Sequence, residues 1–82
     1  MMNNNKRKLT LSRSATYQIK VQGHLGSKWA DWEMEVSTIT DSEGIQTSTL
    51  DCTIDQAALH GLLSRIYNQG LPLISVICVE VK

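Results

Sequence analysis

One amphipathic segment, residues 53–72, can be delimited at both ends from the sequence alone. Asp55 is the predicted N-cap, because its carboxylate can accept the free backbone N–H groups of a first helical turn. Thr53, with Gln56 three residues later, is the alternative start. Gly70 suits the left-handed position after a helix, and Pro72 prevents its continuation. Apolar residues follow at i, i+3, i+4 and i+7, namely Leu59, Leu62, Leu63 and Ile66. The chain is therefore organised around a helix that needs an apolar surface to cover.

The opposite side of this helix carries small residues, Ala57, Gly61 and Ser64, which we call the small-residue face. A glycine inside a helix costs ~1 kcal/mol relative to alanine. Gly61 therefore indicates either a close approach by another backbone or an exposed position that packing elsewhere makes tolerable. Both interpretations stay open at this point.

The sequence on either side of this helix supplies the strands of a sheet. Their predicted spans are residues 17–25, 34–40, 45–52 and 73–81. A short helix beginning at Ser27 is predicted to carry Trp29 and Trp32 on one face. The order β-α-β-β-α-β predicts an α+β, ferredoxin-like two-layer sandwich. Its four-stranded antiparallel sheet would have the order 4-1-3-2, with both helices on one face.

Charge and composition separate a tail from a single domain. Residues 1–15 are polar and basic without periodicity, so we expect a disordered tail, and residues 16–82 form one domain. Four of the eight basic residues lie in the first thirteen positions, so the rest of the chain opposes four basic residues to eight acidic ones. A mildly acidic domain does not favour nucleic-acid binding. No apolar run reaches the length of a membrane span and no secretory leader is recognisable. Two cysteines are too few for a disulfide framework, so we expect the cytoplasm, with no membrane partner.

Three motifs carry a resemblance to a known group of proteins. They are W-A-D-W (residues 29–32), D-Q-A-A-L-H-G-L-L (residues 55–63) and G-L-P-L (residues 70–73). With these motifs the chain resembles a family of small uncharacterised bacterial proteins, over residues 17–81. Because that family has no established activity, the resemblance implies architecture and little else.

The residues that carry common chemistries are not arranged for them. His24, His60, Cys52 and Cys78 are the candidate metal ligands, but their spacing matches no metal-binding unit. No nucleophile with its base and no phosphate-binding motif is recognisable. We therefore expect no metal, no cofactor and no enzymatic activity. The predicted sheet also lacks the aromatic residues with which RNA-binding modules of this topology stack bases.

Two functions from different classes remain. The first is a non-enzymatic interaction module that acts as a homodimer. The second is a regulatory module similar to ACT domains, which would bind a small anion or amino acid at Gly23, His24, Gly26 and Ser27. Glycines there would let a backbone approach a carboxylate, and the helix beginning at Ser27 would offer N–H groups. A tight turn is the plainer interpretation of the same glycines.

The last predicted strand favours the homodimer. It is apolar on both faces, with Ile74, Val76 and Cys78 on one of them, and the predicted order places it at an edge. A second copy could cover it by pairing edge to edge, by stacking sheet faces, or with help from the small-residue face. A different protein is the other possible partner. Residues 9–11 folding back as an extra strand would instead cover it within one chain.

Overall fold

The computed structural model describes residues 8–26, 29 and 34–82. These residues form the strands β1 (Ala15–Gln22), β2 (Met34–Thr40), β3 (Gln46–Ile54) and β4 (Leu73–Val81) and the helix α1 (Gln56–Asn68). Every pair of neighbouring strands is antiparallel, and the order across the sheet is β2-β3-β1-β4. Seen from the other edge, this is the predicted strand order.

The predicted ferredoxin-like fold with two helices on one face is wrong, because the described residues form four strands and one helix. The segment directly after β1 forms a turn. Gly23 takes a positive φ of 117° and its N–H donates to the carbonyl of Gln46 at 2.8 Å, which ends the strand. Leu25 then enters the core, only 3% exposed. Of the predicted first helix, Ser27 and Trp32 lie outside the described residues.

Trp29 is the one residue of that predicted helix whose position is described. Its N–H donates to the carbonyl of Gly26 at 3.1 Å, an i→i−3 bond of the 3₁₀ type. Its side chain is buried, and the guanidinium of Arg65 lies 4.4 Å from the ring centroid. This arrangement is a cation–π contact between the segment that follows β1 and the last turn of α1. Trp29 is thus a core residue, as the sequence predicted for at least one of the two tryptophans.

The ends of α1 follow the sequence closely. Asp55 is the N-cap, and its Oδ1 accepts a hydrogen bond from the backbone N–H of Ala58 at 2.8 Å. Gly70 has a φ of 77° and its N–H donates to the carbonyl of Tyr67 at 2.9 Å, as in a Schellman ending. Leu71 then turns back toward the core, where it is half-buried. The helix therefore begins and ends where its capping residues predict.

The core lies between α1 and one face of the sheet. On that face alternate residues of the two central strands are buried: Ala15, Tyr17, Ile19 and Val21 of β1, and Ser48, Leu50 and Cys52 of β3. The helix contributes Leu59, Leu62 and Ile66, with Leu63 half-buried at the margin. Full burial of one such aliphatic side chain is worth ~1.5–3 kcal/mol. The predicted apolar stripe is thus the face that holds α1 on the sheet.

On the two central strands, β1 and β3, the other face of the sheet is polar. The hydroxyls of Thr16 and Thr53 are 2.9 Å apart, and Gln18 Nε2 donates to Asp51 Oδ1 at 3.4 Å. Each of these pairs lies directly opposite in β1 and β3. A face whose side chains satisfy one another across strands can remain in water. Stacking of two such faces is therefore not needed to cover the sheet.

The N-terminal segment contacts the domain through its main chain. The carbonyl of Leu11 accepts a hydrogen bond from Gln56 at 3.2 Å, and that of Ser14 accepts one from Lys82 at 2.9 Å. Residues 9–11 form no strand, and the side chains of Leu9 and Leu11 remain 39% and 74% exposed. They lie by the start of α1 and do not pair with β4 as an extra strand.

Candidate functional site

The outer edge of the sheet at β4 is apolar and exposed. We call its five large exposed side chains the apolar edge: Leu73 (51%), Ile74 (52%), Val76 (37%), Ile77 (48%) and Val79 (60%). β4 pairs with β1 on one side, and among the described residues no strand pairs with its other side. A strand in this position presents unpaired backbone N–H and C=O groups beside apolar side chains. Such an edge can accept a further strand.

The helix does not reach far enough to cover β4. Tyr17 and Cys78 lie directly opposite each other on the face that α1 covers, yet Tyr17 is 3% exposed whereas Cys78 is exposed. Leu59, Leu62 and Ile66 hold α1 over the core. Coverage therefore stops at β1, and the predicted interface residues Val76 and Cys78 face water beside the helix.

Two β-bulges change the alternation that the sequence predicts for β4. Thr16 pairs with Glu80 and Tyr17 with Cys78, so Val79 is an extra residue between two pairs. Ile74 is a second extra residue nearer the start of the strand, where the same kind of register shift occurs. Strict alternation would put Leu73 on the face opposite to Val76 and Cys78, but the bulge places Leu73 with them, opposite Val21.

An apolar groove continues this surface onto the helix. It has a volume of about 380 Å³ and is lined by Leu63, Ile66, Tyr67, Gly70, Leu71, Pro72 and Leu73. Tyr67, at its rim, is 81% exposed. Leu71 lies against Gly23, where an added Cβ would be 2.8 Å from Leu71 Cδ2. The groove and the apolar edge share Leu73, so they form one continuous apolar surface.

The opposite edge of the sheet, β2, is more polar. Ile39 is its one large hydrophobic side chain with high exposure, at 67%. The same strand exposes Glu35 and Ser37, and it leads into a turn where Asp41 Oδ1 accepts from the N–H groups of Glu43 and Ile45. Charged side chains at an edge discourage pairing with another chain. The β2 edge of the sheet is thus largely polar, whereas the β4 edge is apolar.

The loop predicted to bind a ligand is hydrogen-bonded to Ser48 of β3. Ser48 Oγ donates to the carbonyl of Gly23 at 2.7 Å and accepts from the N–H of Leu25 at 3.0 Å. His24 is exposed, Gly26 is half-buried, and Ser27 lies outside the described residues. These hydrogen bonds hold Gly23 and Leu25, with His24 between them, in a tight turn.

Ser48 is a residue that the sequence reasoning missed. It is completely buried, and besides the turn after β1 it also contacts Thr38 Oγ1 at 2.9 Å. Because its single proton goes to Gly23, Thr38 is the donor in that contact. Ser48 stands two and four residues before Leu50 and Cys52 on the buried face of β3. Ser48 is the polar member of an alternating series of otherwise apolar residues, and this pattern could have predicted its buried position.

The small-residue face of α1 lies on the surface. Ala57, Gly61 and Ser64 are exposed, and in the described part of the chain no heavy atom beyond the helix's own backbone lies within 4 Å of a Cβ built on Gly61. A second crevice of about 400 Å³ lies between Trp29 and the end of α1, lined by Arg65, Asn68 and Gln69. Among the described residues, nothing therefore packs against Gly61 in the small-residue face.

The histidines and thiols are scattered. His24 and His60 are exposed, and within the described ranges no three His, Cys, Asp or Glu side chains cluster as they would around a metal ion. Burial, and secondarily the charge of Asp51, raises the pKa of the Cys52 thiol. Cys52 is therefore a protonated core residue at neutral pH, whereas Cys78 is exposed and free.

The described part of the chain contains no helix long and apolar enough to cross a membrane. No curated protein and no solved structure is significantly similar to the chain. A family model described as "Domain of unknown function (DUF8691)" matches residues 16–77, from β1 into β4. The chain belongs to this family of domains of unknown function.

Proposed function

We propose that this protein is a non-enzymatic interaction module that acts as a homodimer, joined through the apolar edge of β4. The single observation that carries the proposal is the exposure of Leu73, Ile74 and Val79 at half or more of their surface on a strand whose outer side pairs with no other strand of the described residues. Monomeric proteins seldom leave contiguous apolar patches of this kind in water unless the patch is used. A partner strand would satisfy the backbone and cover the side chains together.

The charge of the edge favours a second copy as the partner. Residues 73–79 carry no charged side chain, and the charges of Glu80 and Lys82 lie at one end of the strand. When two copies of β4 pair antiparallel, each charged end meets the start of the other strand, so like charges do not oppose each other. Like charges placed directly opposite each other would destabilise the pair.

The size of the surface is also sufficient. The apolar edge and Tyr67 together expose on the order of 600 Å² per copy, against the ~800 Å² per partner of a standard stable complex. Backbone groups of the edge and the rest of the groove add to this area. With these additions the surface approaches the area of a standard interface.

The cysteines support a reducing compartment for this module. Cys52 is buried in the core and Cys78 lies free and exposed on β4. A thiol left exposed beside an association surface would be oxidised in a secretory compartment. The proposal therefore includes a cytoplasmic location.

Two substitutions on opposite edges test the proposal. Val76→Lys places a charge in the apolar edge, and Ile39→Lys places the same charge on β2, where the exposed isoleucine offers a matched control. Sedimentation equilibrium should show that Val76→Lys weakens self-association at least tenfold while Ile39→Lys leaves it unchanged. Because Val76 is partly buried, Val79→Lys provides a more exposed variant of the same edge. A dimer that all three variants form as well as the original protein would overturn the proposal.

A further inference from the structure

The central part of β4 presents its side chains symmetrically about Ile77. Val76 and Cys78, on either side of it, lie opposite Ile19 and Tyr17 on the face that α1 covers. Ile77 itself lies opposite Gln18 on the polar face. The pattern is therefore the same when it is read in either direction from Ile77.

The two bulges extend this symmetry to the ends of the strand. Without them, Leu73 and Val81, each four residues from Ile77, would lie on the polar face with it. The extra residues Ile74 and Val79 return both ends to the helix-covered face, where Leu73 lies opposite Val21 and Val81 opposite Ala15. Each bulge thus moves one end of β4 to the helix-covered face, and the two bulges lie on opposite sides of Ile77.

This symmetry selects one register for a pair of β4 strands. Residues directly opposite each other in an antiparallel pair share a face of the sheet, so a two-fold axis must pass through one residue. An axis at Cys78 would oppose Val76 to Glu80, which lie on different faces. An axis at Val76 would leave Val81 beyond the end of the strand of the other copy. An axis at Ile77 overlaps all nine residues of β4 and matches the faces at its centre and at both ends.

We infer that two copies pair through β4 in this register, with Ile77 on the two-fold axis and Val76 of each copy opposite Cys78 of the other. The inference rests on the proposed homodimer and specifies its partner segment. The product is one continuous antiparallel sheet with both helices on the same face.

The same register makes each groove a composite site. Leu73, which lines the groove, is opposed by Val81 of the second copy, on the helix-covered face. The end of the partner strand therefore lies beside Leu73, at the margin of the groove. Each groove is completed by residues from both copies.

Disulfide cross-linking between cysteines of the two copies tests this register directly. Directly opposed residues of antiparallel strands have Cα atoms about 4.5–5.5 Å apart, within the range that a disulfide spans. Three variants suffice, because Cys52 is buried and Cys78 is the exposed native thiol. They are Ile77→Cys with Cys78→Ser, Val76→Cys with Cys78→Ser, and Val76→Cys with Cys78 retained.

Mild oxidation of the folded protein, followed by a non-reducing gel, gives the result. We expect covalent dimers from the first and third variants and none from the second. Cross-linking of the second variant, with none of the first, would put the axis at Val76 and overturn the register while keeping the dimer. If the wild-type protein is dimeric in solution and none of the three variants cross-links, the copies meet elsewhere and the inference fails. A wild-type monomer would instead remove the proposed function itself.

Discussion

Ile19 and Val76 lie directly opposite each other in β1 and β4 on the same face of the sheet, yet Ile19 is completely buried and Val76 is 37% exposed. One strand spacing, about 4.8 Å, separates their backbones. The difference arises because α1 packs over β1 and β3 and leaves the last strand at its margin. A chain of this size folds with its core complete but with one edge uncovered, and that edge is the basis of the proposed function.

Ser48 should be the most sensitive polar residue in the core. Ser48→Ala removes the partners of the Gly23 carbonyl and the Leu25 N–H, and each orphaned buried group costs ~1–3 kcal/mol. We expect urea denaturation to show a loss of ~2–3 kcal/mol in the free energy of unfolding. Ser37→Ala, on the exposed face of β2, is the control and should change stability by less than ~0.5 kcal/mol. Equal effects of the two changes would show that the Ser48 bonds do not hold the turn.

Two glycines should respond to alanine with opposite signs. Gly23→Ala forces a side chain into positive φ and to within 2.8 Å of Leu71 Cδ2, so we expect it to destabilise the domain. Gly61→Ala meets no atom within 4 Å in the middle of α1, so it should raise the melting temperature through a gain of ~1 kcal/mol. Gly61→Ala also tests the small-residue face, since a weaker dimer would place a partner backbone there.

The Tyr17 hydroxyl should be dispensable. It is buried and finds no hydrogen-bond partner among the described residues, and an unsatisfied buried polar group costs free energy. Tyr17→Phe should leave the free energy of unfolding unchanged or raise it by ~1 kcal/mol. Tyr67→Phe, at an 81% exposed position, measures the effect of losing a hydroxyl in water. A clear destabilisation by Tyr17→Phe alone would reveal a partner for the hydroxyl.

The two thiols should report folding and association separately. Burial raises the pKa of Cys52, so its reactive thiolate is scarcer than usual and iodoacetamide should modify it only on unfolding. The same raised pKa implies that alkaline conditions favour the unfolded chain, which releases this proton at lower pH. Cys78 should react in the native protein, more slowly as protein concentration rises and the edge becomes covered. A rate for Cys78 that is independent of concentration would contradict the proposed interface.

Much of the fold could be read from local chemistry. The capping residue Asp55 and the left-handed Gly70 mark the ends of α1, and alternation identifies the strands, with β2 and β4 at their predicted bounds. The order of the strands followed from their connections. The ends of α1 and the spans of the strands depend on residues close together in sequence, which is why a single chain sufficed to predict them.

The features that failed depend on contacts between distant residues. The turn after β1 is fixed by Ser48, which lies 25 residues from Gly23, and it ends at Gln22 a strand that the sequence predicted to continue to Leu25. The bulges at Ile74 and Val79 arise from pairing with β1 and leave no mark in the alternation of β4 itself. The edge was predicted as an interface, but which residues face the helix could not be read without that register.

The mass of the wild-type protein in solution tests the central claim most directly. Multi-angle light scattering across a concentration series from low to high micromolar should give a mass that approaches twice the 9.2 kDa of the chain. A mass that stays at that of one chain at the highest concentration would show that β4 remains uncovered, and the homodimer would be excluded.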